Sequence, residues 1–140
     1  MLIAETKLFI GLDTGEIKMY DPFTLELLDK VNTNRHAMPM SMVLQSAGTI
    51  IVGMTNGTLE VFSFQQRTIS PTNHIVNEIK VPYSGEIYSI CISSNEDNDL
   101  EIGLSTFSGL FFGKFEIGPQ GRPYQIWTTT KVYFREKLIS

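Results

Sequence analysis

Leu8-Phe9-Ile10-Gly11-Leu12-Asp13-Thr14-Gly15-Glu16-Ile17-Lys18-Met19-Tyr20 lies without a gap over Ile50-Ile51-Val52-Gly53-Met54-Thr55-Asn56-Gly57-Thr58-Leu59-Glu60-Val61-Phe62, and the two stretches agree in character at every position. A looser third copy runs from Leu100-Glu101-Ile102-Gly103-Leu104 to Ser108-Gly109-Leu110-Phe111, with two extra residues between its glycines. The leading glycines Gly11, Gly53 and Gly103 are 42 and 50 residues apart. A period of that size marks a repeat architecture, which governs how every shorter motif is interpreted.

Each copy carries the chemistry of a β-hairpin: a short apolar run, a Gly-containing turn where positive φ is cheap, then alternation of apolar and polar residues. Ile17 and Met19 alternate with Glu16 and Lys18, and Leu59 and Val61 with Thr58 and Glu60. Period two predicts one buried and one wet face for these second strands, whereas the first strand of each hairpin, apolar on both faces, should lie deeper. Upstream of the second and third hairpins stand further short strands, Met40 to Leu44 and Ile87 to Ile92, each with an apolar-Ser-apolar centre. Fourth strands are expected at Leu25 to Val31, weakly within Arg67 to Val81, and at Tyr124 to Thr129. Helical candidates are nearly absent. Four antiparallel strands per unit of about 40 to 50 residues is the arithmetic of a propeller blade.

The fold expected is therefore all-β: a partial β-propeller of about three four-stranded antiparallel blades. The blades would span about 1–34, 35–82 and 83–130, with 131–140 starting a further strand. The run Asp13 to Leu28 resembles the end of a WD40 repeat, with Tyr20-Asp21 standing where that family places its Trp-Asp dipeptide. The second copy has Phe62-Ser63 there, the third is more divergent, and no clean Gly-His dipeptide opens any blade, although Arg35-His36 sits near that place in the second. The resemblance covers most of the chain as a pattern and is specific over residues 8–62. It implies contact surfaces for peptides and domains on the loop rims.

Closed propellers use four to eight blades, and three leave two apolar sheet faces open. Three explanations fit: a fragment of a longer protein, which is favoured, a ring completed by remaining blades or a second chain, or a truncated gene model.

Across 140 residues, 42% apolar and 19% charged side chains place the chain among packed globular domains rather than disordered ones. A net charge of −4 gives no general attraction for nucleic acid or anionic lipid. No run approaches the length of a membrane span. Cys91 is alone, so neither an internal disulfide nor a cysteine zinc site is available, and Glu5 and Lys7 cut short the opening apolar run. The localisation expected is cytoplasmic or nuclear.

Reactive groups do not converge on a catalytic set. His36 and His74 lie in polar connections without partners at ligand spacing, and Cys91 falls in an inner apolar strand, where a thiol packs as a small hydrophobe. The acidic run Asn95 to Asp99 lacks the Gly of a calcium loop. Asn56-Gly57-Thr58 is formally a glycosylation sequon, but the same residues are what a tight hairpin turn selects. The Gly-x-x-x-Gly spacings lack the Lys-Ser/Thr of a phosphate loop and precede strands. No cofactor or metal is expected.

Phe107 falls inside the two-residue insertion of the third hairpin turn, where it either folds back or is held out as a contact. Arg35, His36 and Tyr83 precede inner strands in connections that should emerge on the same rim. These four residues are the partner-binding candidates. The function expected is a non-enzymatic protein–protein interaction scaffold; a fragment of a propeller enzyme whose active site needs further blades, and a purely structural wall, stand as the alternatives.

Overall fold

The computed structural model describes residues 1–33, 37–71, 78–80, 85–94, 100–106, 109–117 and 123–126. Every regular element among them is a strand, and the strands form three antiparallel sheets. The first sheet is a meander of β1 (Leu2–Ala4), β2 (Lys7–Gly11), β3 (Glu16–Tyr20) and β4 (Leu27–Asn32). The second contains β5 (Pro39–Ser46), β6 (Thr49–Met54), β7 (Thr58–Phe64), β8 (Ile69–Pro71) and β9 (Glu78–Lys80). The third is again a meander, of β10 (Ile87–Ser94), β11 (Leu100–Thr106), β12 (Gly109–Ile117) and β13 (Pro123–Ile126). The three hairpins are thus β2–β3, β6–β7 and β11–β12.

Two of the expected fourth strands start or break differently. β4 begins at Leu27 rather than Leu25, because Leu25 takes a left-handed backbone, φ 60°, and closes the preceding turn. In the second sheet the outer strand is in two pieces: β8 pairs with Phe62–Phe64 and β9 with Thr58–Glu60 of the same neighbour, β7. Pro71, with no N–H to donate, ends the first piece. The further strand expected from residue 131 lies outside the described residues.

Side chains alternate between two cores. Ile50, Val52 and Met54 of β6, with Phe62 and Phe64 of β7, join Ala4, Phe9, Ile17 and Met19 of the first sheet. Ile51, Leu59 and Val61 point the other way and join Ile87, Ile102 and Leu104 of the third sheet. The second sheet is therefore covered on both faces, and this corrects two expectations. Thr58 and Glu60 were to lie on a wet face, but both are buried. In β2, expected to be deep throughout, only Phe9 is buried while Leu8 and Ile10 stay half-buried, because the first sheet has a neighbour on one face only among the described residues. In β3 the alternation is as expected, with Ile17 and Met19 fully buried.

Cys91 also departs from its expected place. It lies on β10, but period two turns it away from Ile90 and Ile92, which pack on the second core, and its thiol is exposed.

Gly11 and Gly53 allow the first and second sheets to approach the first strand of the sheet that follows each, β5 and β10. A Cβ on Gly11 would lie 2.7 Å from Pro39 Cβ, and one on Gly53 would lie 2.5 Å from Ser41 Oγ and 2.6 Å from Ile87 Cγ2. Ser41 Oγ donates to Ile87 O at 3.0 Å and fastens the second sheet to the third. Between the first and second sheets the Ile69 N–H donates to Asp29 Oδ2 at 2.8 Å, and the rings of Phe9 and Phe64 meet edge to face with centroids 4.9 Å apart.

Candidate interaction rim

The hairpin turns β2–β3 and β6–β7 define one rim, built from glycine and short polar side chains. Gly15 and Gly57 take left-handed backbones, φ 87° and 82°, which cost glycine nothing. In the second turn the Asn56 side-chain carbonyl accepts from the Thr58 N–H at 3.2 Å and from its hydroxyl at 2.7 Å, so the sequon residues are engaged in forming the turn.

The β4–β5 connection is tied to both turns. At one end Thr33 donates its N–H at 2.8 Å and its hydroxyl at 2.7 Å to Gly15 O. At the other, the Met38 N–H donates to Thr55 Oγ1 at 2.9 Å and the Thr55 N–H donates to Met38 O at 3.0 Å. Thr33 and Met38, which flank this connection, therefore stand beside the two hairpin turns. Of the residues named from sequence, Arg35 and His36 within it, together with Tyr83 and Phe107, lie outside the described residues, as do His74 and Asn95 to Asp99. Thr33→Val, keeping shape and removing the hydroxyl, is expected to cost about 1 kcal/mol because Gly15 O retains the Thr33 N–H; urea titration of the two proteins reads the difference.

A feature absent from the sequence argument recurs at this rim. In β5, Pro39 pairs with Met54 and Ser41 with Gly53, leaving Met40 as an extra residue in the ladder. In β10, Ile87 pairs with Thr106 and Ser89 with Ser105, leaving Tyr88 extra in the same way. A bulge re-aims its extra side chain, and Met40 and Tyr88 are 41% and 47% exposed, with Met38 close by at 42%. The bond from Ser41 Oγ to Ile87 O links the residue after one bulge to the residue before the other, bringing the two together. The sequence signal was present as the shared Met40-Ser41 and Tyr88-Ser89 dipeptides, but side-chain type alone does not reveal an inserted ladder position.

β5 and β10 each end a sheet, so a bulge there also spoils the edge as a template for an added strand. What remains for contact is side chains: two methionines, whose flexible thioethers adapt to irregular apolar shapes, and a tyrosine with an apolar ring and a polar tip. Among the described residues no three His, Cys, Asp or Glu side chains are grouped to hold a metal ion. Among the described residues there is no helix long and apolar enough to cross a membrane.

No protein-family model and no curated protein matches this chain.

Proposed function

We propose that the chain is a protein-binding scaffold whose three sheets are consecutive blades of a WD40-like propeller, with partners received on the rim that carries Met38, Met40 and Tyr88. The observation that carries this is the repetition of one bulge at one place in two sheets, each projecting a large apolar side chain beside the turns. Packing alone favours burying such residues, so two exposed at matching positions favour a contact role. The stacking supports the propeller part: Gly11 and Gly53 each receive the first strand of the following sheet. The lone thiol fits a cytoplasmic or nuclear protein, and the exposed Met38, Met40 and Tyr88 fit peptide segments with apolar anchor residues.

Met40→Ser combined with Tyr88→Ser tests the rim. The double variant is expected to melt within about 2 °C of the parent, because exposed substitutions away from the core change stability little. Quantitative affinity capture from extracts of the source cells should show a subset of proteins depleted at least tenfold. An unchanged capture profile from the folded variant removes the proposal.

A further inference from the structure

The opposite rim carries a second exposed apolar feature. β3 runs from Glu16, next to the turn at Gly15, to Tyr20, so the Asp21–Glu26 loop that follows lies at the far end of the sheet. Phe23 is 85% exposed and Leu25 68%, and Leu27 at the start of β4 is 45% exposed.

This loop is fixed by its own bonds. Asp21 Oδ1 accepts the N–H groups of Phe23 at 2.8 Å and Thr24 at 3.2 Å, while Asp21 O accepts the Leu25 N–H at 2.8 Å. The Asp21 N–H donates to Glu26 O at 3.0 Å, Thr24 Oγ1 accepts the Glu26 N–H at 3.3 Å, and the Glu26 carboxylate meets the Arg67 guanidinium at 2.8 Å. The two N–H groups at its oxygen hold the Asp21 carboxyl below its ordinary pKa, with nearby Lys7 and Arg67 acting in the same direction.

Two observations point beyond structure. Leu25 is held left-handed, φ 60°, a strained conformation for a bulky residue that persists only where its surroundings impose it. The corresponding turn of the second sheet, Gln65-Gln66-Arg67-Thr68, is closed by Gln65 N–H to Thr68 O at 2.8 Å and is wholly polar. The fold therefore builds this turn without apolar side chains, and nothing in the packing asks for Phe23 or Leu25.

We infer that Phe23, Leu25 and Leu27 form a preorganised prong that inserts into an apolar cleft of a partner protein. Preorganisation lowers the ordering cost of binding, and a protruding aromatic with a neighbouring leucine is the anchor that such a cleft takes. The charges around it favour a protein over a bilayer. Asp21 and Glu26 balance Lys7 and Arg67, in a chain of net charge −4, whereas a loop that docks on anionic lipid sits above a cationic excess. The prong is independent of the turn rim, so either surface can fail without the other.

The test places p-benzoylphenylalanine at position 23 of the full chain, irradiates it in the source cells and identifies the cross-linked protein and peptide by mass spectrometry. Affinity is then measured with that purified partner for the parent, Phe23→Ser and Leu25→Gly. Each variant should bind at least tenfold more weakly, while the melting temperature is unchanged for Phe23→Ser and unchanged or higher for Leu25→Gly, where glycine relieves the left-handed strain. Met40→Ser with Tyr88→Ser should leave this affinity intact. Absence of a specific cross-link, equal affinity of all three proteins, or a fall in melting temperature for both prong variants would overturn the inference. Phe23-dependent flotation with phosphatidylcholine–phosphatidylserine vesicles would replace the protein cleft with lipid, and Phe23-dependent self-association would replace it with a second copy.

Discussion

Gly53→Val is expected to pry the third sheet from the second and to cost about 3 kcal/mol, the upper part of the range for overpacking a filled core. Gly53 has no left-handed backbone to protect, so the effect is steric alone. Its new Cβ would meet Ser41 Oγ at 2.5 Å, Ile87 Cγ2 at 2.6 Å and Ile87 Cβ at 2.9 Å. Ile87 is fully buried and branched at the very atom being struck, so rotation of its side chain cannot clear the space. Relief requires β10 to move outward, which lengthens the Ser41 Oγ to Ile87 O bond. Gly53→Ala should cost less, about 1–2 kcal/mol, and adding Ile87→Ala should cost less than the sum of the two singles because both act on one contact. Urea titration gives the free energies. Amide exchange should show protection lost in β10 and β11 while β2 and β3 keep theirs, as expected of a stack in which each unit touches only its neighbours. Parent-like stability of Gly53→Val would mean that the sheets are not held at the spacing these contacts imply.

Hairpins and alternation were legible in the sequence because they follow from local chemistry. Gly15 and Gly57 mark turns that need positive φ, and Ile17 and Met19 obey a period of two that survives in the structure. Burial of Thr58 and Glu60 was not legible, since whether a polar face is wet depends on a neighbouring sheet arriving on it, and that is a non-local fact. The same holds for Cys91, whose strand was foreseen but whose face was set by the bulge at Tyr88 shifting the phase of the ladder. The turn rim was inferred from the order of turns and connections, yet its exposed apolar residues were missed: Met40 and Tyr88 because apolar residues in a strand are ordinarily assigned to the core, and Met38 because it closes a connection that reads as polar. The Asp21–Glu26 loop was noticed only as a family-like signature; its exposure and left-handed leucine are backbone properties with no composition signal.

On the other face of the same central sheet, Phe9→Ala should release a different unit. Phe9 is fully buried, packs edge to face on Phe64, and is the one buried residue of β2. Truncation removes the transfer energy of the ring, the aromatic contact and the filling of the space between the first and second sheets, together about 4 kcal/mol. Leu8 and Ile10 cannot compensate, because they point to the opposite, half-exposed face of the first sheet. Phe9→Leu should recover more than half of the loss, since much of the volume returns without the ring. The spatial pattern of the damage is the sharper test. Exchange protection should fall in β1 to β4 and hold in β10 and β11, the reverse of the pattern for Gly53→Val, because the two cores lie on opposite faces of β6 and β7 and share no side chain. If either substitution instead lowers protection evenly through all three sheets, the chain folds as one cooperative body, and a stack of units coupled only to their neighbours is the wrong description of its energetics.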